Sequence, residues 1–354
     1  MPTDTLQMQD LIASLDPERM FDAIRAFPDH VREGWTRAAD LRVRHRASEL
    51  SEVVFVGMGG SAIGADLVRT YCRDVARVPV SVVRDYTLPA SVGEGALVIA
   101  SSYSGGTEET LAAFREASLR GAAVYAVTSG GALLEHAERG DLPHVVIPGG
   151  LQPRAALGYS LGALLRMATK LGLCDVSDSE YSEALALVQA GADTLADTAS
   201  NEALDLARAL RGTMPVVYTG PGLMQAVGVR WANQMQENAK QLAFGNVFAE
   251  LNHNEIMGWE GTPEAKRRQL HVVVLRDAGD HPQIKKRIDA TRGLLADEAA
   301  GWTEVAARGE GKLARMLSAI QLGDFVSYYL ALLVGVDPTP VETIQQLKRT
   351  LAGT

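Results

Sequence analysis

The sequence predicts an α/β protein of two tandem domains, each a doubly wound parallel sheet, preceded by a helical arm. Three observations carry that prediction. Short apolar runs alternate with helical segments from Val53 onward: Val53–Val56, Val80–Val83, Leu97–Ala100, Val124–Val127 and His144–Ile147. Such runs, separated by helices, indicate strands buried on both faces of a parallel sheet. The order then repeats in outline, because Pro215-Val216-Val217-Tyr218-Thr219-Gly220-Pro221-Gly222 echoes Val53–Gly60 as strand, Gly-x-Gly turn and helix. The length of 354 residues suits about two domains.

Residues 1–48 form the arm. Leu11, Ile12, Leu15, Met20, Phe21, Ile24 and Phe27 recur at helical spacing, Pro17 marks a helix restart and Pro28 a break. Residues 49–153 carry the first sheet and end in the loop Gly149-Gly150-Leu151-Gln152-Pro153. Residues 154–200 hold two bridging helices, Leu157–Leu171 and Ser179–Thr198. Residues 201–354 carry the second sheet, with a helix from Leu223 to about Leu242 and strands at Leu270–Leu275 and Thr303–Ala306. Helices follow at Gln283–Leu295 and Lys312–Leu332, and the tail from Asp337 ends in a short amphipathic helix.

Composition excludes several classes. The chain is 47% hydrophobic and 22% charged, which suits a globular enzyme with a large core. A net charge of −9 argues against nucleic acid and anionic membranes as partners. Only Cys72 and Cys174 occur, with no CxxC or Cys/His metal spacing, so a reducing cytoplasm is expected. The first residues, Met1-Pro2-Thr3-Asp4, lack a basic and apolar leader, and no apolar run approaches the length of a bilayer span.

The stretch Ser101-Ser102-Tyr103-Ser104-Gly105-Gly106-Thr107-Glu108-Glu109-Thr110 lies between a strand and a helix. Such a turn aims backbone N–H groups and the positive end of a helix dipole at one point. Ser102, Ser104 and Thr107 add hydroxyls there, which suits a phosphate monoester. The plainer reading is a capping turn, since Ser, Thr and Gly belong at helix starts. Gly57-Met58-Gly59-Gly60-Ser61-Ala62-Ile63-Gly64 invites a dinucleotide reading, with Asp85 in the place of the ribose-binding acid. Against it stand the Ser61 hydroxyl and the separate Ser/Thr turn.

Further along, Glu237 sits on a helix with Arg230, Gln234 and Gln241, and by itself reads as a solvated glutamate paired with Lys240 or Arg230. Glu250-Leu251-Asn252-His253-Asn254-Glu255 is a polar run among Phe248, Ile256 and Trp259. His253 is the side chain best suited to move a proton near neutral pH, or else a structural histidine in a turn. No second His lies at ligand spacing, so a metal is not favoured. Arg154 ends the first domain, where it could stabilise negative charge in a cleft, and Lys348 near the C-terminus reads alone as a solvated lysine.

Taken together, Gly57–Gly64, Ser102–Thr110, Pro153-Arg154-Ala155-Ala156, Glu237-Asn238-Ala239-Lys240, Glu250–Glu255 and Val336–Val341 resemble the bifunctional phosphoglucose/phosphomannose isomerases, from about residue 50 to the C-terminus. These are proteins of two flavodoxin-like sugar-isomerase (SIS) domains. The Ser-x-Ser turn is shared by all SIS proteins, whereas the Glu-Leu-Asn-His-Asn-Glu run is specific to this subfamily. The resemblance implies that Ser61, Ser102, Ser104 and Thr107 hold the sugar phosphate, beside Gly59 and Gly60. Glu237 would move a proton between C2 and C1, and Arg154 would stabilise the enediolate. His253, supplied by the other subunit of a homodimer, and Lys348 would open the sugar ring. Thr339 would be the threonine associated with tolerance of both C2 epimers. The chain departs from the family in Gly106, where Asn is usual, and in its long N-terminal arm, which would serve a dimer interface.

The residue types fit that chemistry. A proton moving between adjacent carbons needs one carboxylate within reach of both in a site that excludes water. The enediolate oxygen needs a fixed positive partner. No step requires a metal or a redox cofactor. The reading is therefore an aldose–ketose isomerase converting glucose 6-phosphate and mannose 6-phosphate to fructose 6-phosphate. The alternatives are a non-catalytic SIS module that senses a phosphosugar, which needs only the cradle, and a nicotinamide-linked oxidoreductase using the Gly57 turn. A glutamine-dependent synthase of the same fold is not expected, since that class needs an N-terminal nucleophilic Cys and this sequence begins Met1-Pro2.

Overall fold

A computed structural model describes residues 2–353 as two parallel sheets that share one layer of helices. Three helices come first: α1 (Pro2–Leu15), α2 (Met20–Arg25) and α3 (Phe27–Arg37). Pro28 sits in the first turn of α3, where its missing N–H costs nothing, so it starts a helix after the break at Ala26. The apolar face of this arm is buried on its own chain. Gly34 of α3 lies against the Tyr159 carbonyl, and Phe21 packs edge-on to Phe325 with ring centroids 6.1 Å apart.

The first sheet follows as β1 (Glu52–Val56), α4 (Gly59–Cys72), β2 (Val80–Val83), β3 (Ala96–Ser102), α5 (Glu108–Leu119), β4 (Ala123–Thr128), α6 (Gly131–Arg139) and β5 (His144–Val146). Its order is β2-β1-β3-β4-β5, all parallel. Every residue of β3 is buried, as a central strand covered on both faces requires. Its side chains alternate: Leu97 and Ile99 join the large shared core, while Ala96, Val98 and Ala100 join a smaller one under α5 and α6.

Three helices follow, α7 (Leu157–Leu171), α8 (Asp178–Leu195) and α9 (Glu202–Leu210). The second sheet comprises β6 (Met214–Thr219), α10 (Leu223–Asn238), β7 (Phe244–Val247), α11 (Glu255–Gly261), α12 (Glu264–Arg267), β8 (Leu270–Arg276), α13 (Pro282–Leu295) and β9 (Gly301–Ala306). Its parallel order is β7-β6-β8-β9. Val217, Val273 and Leu275 face the shared core, and Val216, Tyr218, Val272 and Val274 face a third cluster. The chain ends in α14 (Lys312–Leu333) and α15 (Glu342–Ala352).

Three expectations need correction. The helix read through to Leu242 stops at Asn238, because Lys240 turns left-handed at φ 54° and the chain enters β7. Neither β7 nor α9 was anticipated from the pattern. The statement that no apolar run reaches membrane length fails for α14, which has 22 residues and a mean hydropathy of 1.4 over its most apolar window. That window is 89% buried within the protein. A helix apolar all round is what a central core position demands, and α14 keeps Asp324 and Gln321 for buried polar partners.

Candidate active site

The cradle is built at the carboxyl end of β3. Thr107 stands at the N-cap of α5, yet its side chain makes no capping bond. Its Oγ1 instead lies 2.9 Å from Ser102 Oγ. The plain capping reading therefore fails at the residue that should carry it. Ser104 is exposed at the tip, with its Oγ accepting from the Gly106 N–H at 3.3 Å. Gly105 has φ +65°, and a Cβ there would overlap the Gly130 carbonyl, so only glycine lets this turn close on the loop after β4. Tyr103 pins the turn from behind. Its carbonyl accepts from Ser129 N at 3.0 Å, and its hydroxyl accepts from Leu151 N at 3.1 Å.

The Gly57–Gly64 turn meets this cradle from the neighbouring strand. Ser61 is buried in the first turn of α4, and its Oγ accepts from the Tyr103 N–H at 3.1 Å. A Cβ on Gly60 would stand 3.0 Å from the Pro153 carbonyl oxygen, so the turn touches the backbone that carries Arg154. Asp85, the acid of the dinucleotide reading, is exposed and accepts from the Tyr86 N–H at 2.6 Å, closing its own turn.

Arg154 is 2% exposed and joins the two sheets. Nε donates to Asn238 Oδ1 at 2.6 Å, and Nη2 donates to the Pro338 and Thr339 carbonyls at 2.6 and 2.9 Å. Nη1 is left facing Glu237 Oε2 at 3.5 Å. Behind it, Arg230 Nη2 donates to the Arg154 carbonyl at 3.0 Å while forming a bidentate pair with Asp324 at 3.0 and 2.7 Å. Gln234 Nε2 also donates to Asp324, at 3.0 Å. A buried ion pair of this kind adds little net stability, but it holds position. Burial lowers the Arg154 pKa from its usual value, and the Glu237 carboxylate opposes this.

Glu237 is therefore not the freely solvated glutamate of the plain reading, nor is Arg230 its partner. It stands at the end of α10, its side chain 32% exposed, beside a cavity of about 630 Å³. That cavity is lined by Glu237, Lys240, Asp337, Pro340 and the first turn of α15, among others, and the cradle hydroxyls do not line it. Thr339 is 2% exposed with its hydroxyl unpartnered, and its N–H donates to Asp337 Oδ1 at 2.8 Å.

Two of the sequence candidates stand apart. His253 closes the turn after Glu250–Asn252, exposed, and its ring has no hydrogen-bond partner among the described residues. Lys348 is exposed on α15, one turn beyond Ile344, which lines the cavity. Among the described residues, no group of three or more His, Cys, Asp or Glu side chains is arranged so that it could hold a metal ion. The sequence reading missed the parts played by Asn238, which orients Arg154, and by Tyr103 and Lys240. Their only signal was membership of the runs that hold Glu237 and the cradle.

Sequence comparison shows the family. The profile of the SIS domain matches residues 48–137, and that of the bacterial phosphoglucose isomerase C-terminal SIS domain matches residues 199–351. A protein of Caldicellulosiruptor bescii named bifunctional phosphoglucose/phosphomannose isomerase is 41% identical over 336 residues, covering 94% of this chain and 99% of its own. The chain belongs to the bifunctional phosphoglucose/phosphomannose isomerase family. The Aquifex aeolicus member is 36% identical over 84% of this chain and 90% of its own. A hypothetical protein from Thermus thermophilus has the same fold, with a TM-score of 0.75 at 16% identity over 100% of this chain and 95% of that one. Within this family fold, the Ser102–Thr107 turn follows β3, Glu237 ends α10, and Arg154 reaches Glu237 from the backbone that meets Gly60.

Proposed function

We propose that this chain is a cytoplasmic aldose–ketose isomerase that interconverts glucose 6-phosphate and mannose 6-phosphate with fructose 6-phosphate through a cis-enediol(ate). One observation carries the reading. Nε and Nη2 of buried Arg154 are bound to the protein, while Nη1 is aimed at Glu237. An arginine held in this way offers fixed positive charge at one point, as a developing enediolate needs.

Ser61, Ser102, Ser104 and Thr107, with the Gly59 and Gly60 backbone, would hold the phosphate. Glu237 would take the proton from C2 of the open-chain aldose and return it to C1. Because the intermediate is planar at C2, one carboxylate serves both epimers, and Thr339 would help accommodate them. His253 and Lys348 would open the ring. The exposed, unpartnered imidazole supports a His253 supplied to a second protomer, in a homodimer. The same reading assigns residues 49–153 to phosphate binding, 201–354 to acid–base chemistry, 154–200 to the helices that bridge them and 1–48 to an N-terminal helical arm.

Purified protein, treated with chelator, is assayed for fructose 6-phosphate from each sugar, beside Glu237→Gln. The expected result is turnover of both sugars, with kcat lower in the variant by about a hundredfold or more, as loss of a general base implies. Binding of phosphosugar without turnover by the unaltered protein would instead make it a sensor.

A further inference from the structure

Lys240 follows the Glu237 helix by one residue beyond its cap at Ala239, in the left-handed region with φ 54°. That position normally belongs to glycine, because a side chain there crowds the backbone. The lysine offsets this through its ammonium. Nζ donates to the Glu237 carbonyl at 2.7 Å and approaches the Asn238 carbonyl at 3.4 Å, closing the carboxyl end of α10 with a cation. The same Nζ donates to the Pro338 carbonyl at 3.1 Å, an oxygen that also accepts from Arg154 Nη2. Lys240 also lines the cavity that reaches Glu237.

We propose that Lys240 is a positioning residue, a strap that ties the Asp337–Thr339 turn to the end of α10 and so fixes Glu237 relative to Arg154 and Thr339. This rests on the acid–base reading of Glu237 given above. Without the strap, Arg154 alone among the side chains described above ties the Glu237 end of the helix to that turn, through Asn238 and the Pro338 and Thr339 carbonyls, and the two can shift relative to one another. A misplacement of about 1 Å in such a centre can cost up to a hundredfold in rate.

The surroundings of the ammonium give the strap a signature. Burial lowers its pKa to about 8, Arg154 adds to the lowering, and Asp337 and Glu237 oppose it. These groups come from the loop before α7, the loop after α14 and α10 itself. The strap is therefore charged at pH 7 and becomes neutral as pH rises through about 8.

The test compares the unaltered protein with Lys240→Gly and Lys240→Arg, measuring kcat and KM for fructose 6-phosphate from pH 6 to 9.5 and thermal melting. Glycine suits the left-handed backbone, so Lys240→Gly removes the ammonium without straining the chain. Its Tm should hold or rise, and its kcat should fall about tenfold or more with KM little changed. The fall in kcat near pH 8 should vanish in Lys240→Gly and move beyond the tested range in Lys240→Arg, which keeps its charge. Should the glycine variant fail to fold, Lys240→Met carries the same comparison. Unaltered kcat with the alkaline fall retained in the glycine or methionine variant would overturn the strap and leave the isomerase reading standing. An inactive unaltered protein would overturn both.

Discussion

The two sheets present the same pair of turns and use them in opposite ways. In the first, β1 leads into Gly57–Gly60 and neighbouring β3 into the Ser102–Thr107 cradle. In the second, β6 leads into Gly220-Pro221-Gly222 and neighbouring β8 into Asp277-Ala278-Gly279-Asp280. The second pair encloses carboxylates. A Cβ on Gly220 would fall on the Asp280 side chain, and Asp280 Oδ2 accepts from Asp277 N at 3.2 Å. Asp277 is itself buried and bound to Arg315 Nε at 2.6 Å. The β8 turn thus supplies its own anions, one of them paired with Arg315, where the β3 turn leaves hydroxyls. The fold places a turn at each strand end, but side chains decide whether it becomes a site.

The largest effect should come from breaking the cradle. Ser102→Ala with Thr107→Val deletes the hydroxyl pair 2.9 Å apart. Two lost hydrogen bonds to a charged phosphate, at roughly 1.5–3 kcal/mol each, imply a rise in KM of about a hundredfold or more. Because neither side chain caps α5, Tm should change little. A large fall in Tm with KM unchanged would mean that these hydroxyls hold the turn rather than the substrate.

A smaller effect should follow from neutralising the second turn. Burial raises the Asp280 pKa above the usual aspartate value. The Asp277 backbone bond opposes this, the Asp277 charge adds to it, and Lys285 and Arg276 oppose it. A carboxyl whose folded-state pKa is raised contributes stability below its unfolded value near 3.9, and that contribution is lost as pH rises through the folded value. Asp280→Asn keeps an acceptor for the Asp277 N–H and removes the charge. Relative to the unaltered protein, its stability should therefore improve with rising pH through that window. Denaturant unfolding at pH 4 and pH 7 checks this, and an advantage greater at pH 4 would reverse the sign. Turnover should be unchanged, since Asp280 lines neither the Glu237 cavity nor the Ser102–Thr107 turn.

The contrast between the turns also explains what the sequence disclosed. β1, β3, β4, β6 and β8 were legible because strands buried on both faces must be continuous apolar runs. β7 was not, because Gly245 and Asn246 interrupt a four-residue edge strand with little apolar surface to bury. The turn between β3 and α5 that gathers Ser102, Ser104 and Thr107 was legible because these hydroxyls fall within six residues. The Arg154 setting was not, because Asn238, Asp324 and Pro338 lie 84, 170 and 184 residues away from it in sequence, and no local pattern signals such a convergence. Lys240 was hidden for a different reason. A left-handed lysine looks in sequence like one more residue of an amphipathic helix, and only the backbone shows that the helix has ended.

The smallest effect sharpens the comparison within the cradle itself. Gly105 and Gly106 are adjacent, yet only Gly105 is required by the backbone, with φ +65° and no room for a Cβ. Gly106 is exposed, and a Cβ there would meet nothing within 4 Å. Its N–H, held at 3.3 Å by Ser104 Oγ, stays available whatever the side chain. Gly106→Asn should therefore fold with unchanged or slightly higher Tm, since removing a glycine from a compatible site stabilises by about 0.4–1 kcal/mol. KM should stay within about twofold or fall, because an amide beside the phosphate adds a donor without displacing one. Gly105→Ala in the same assay should destabilise the protein. Equal tolerance at both positions would show that the turn is not held by the Gly130 contact, and the account of how this cradle closes would have to be rebuilt.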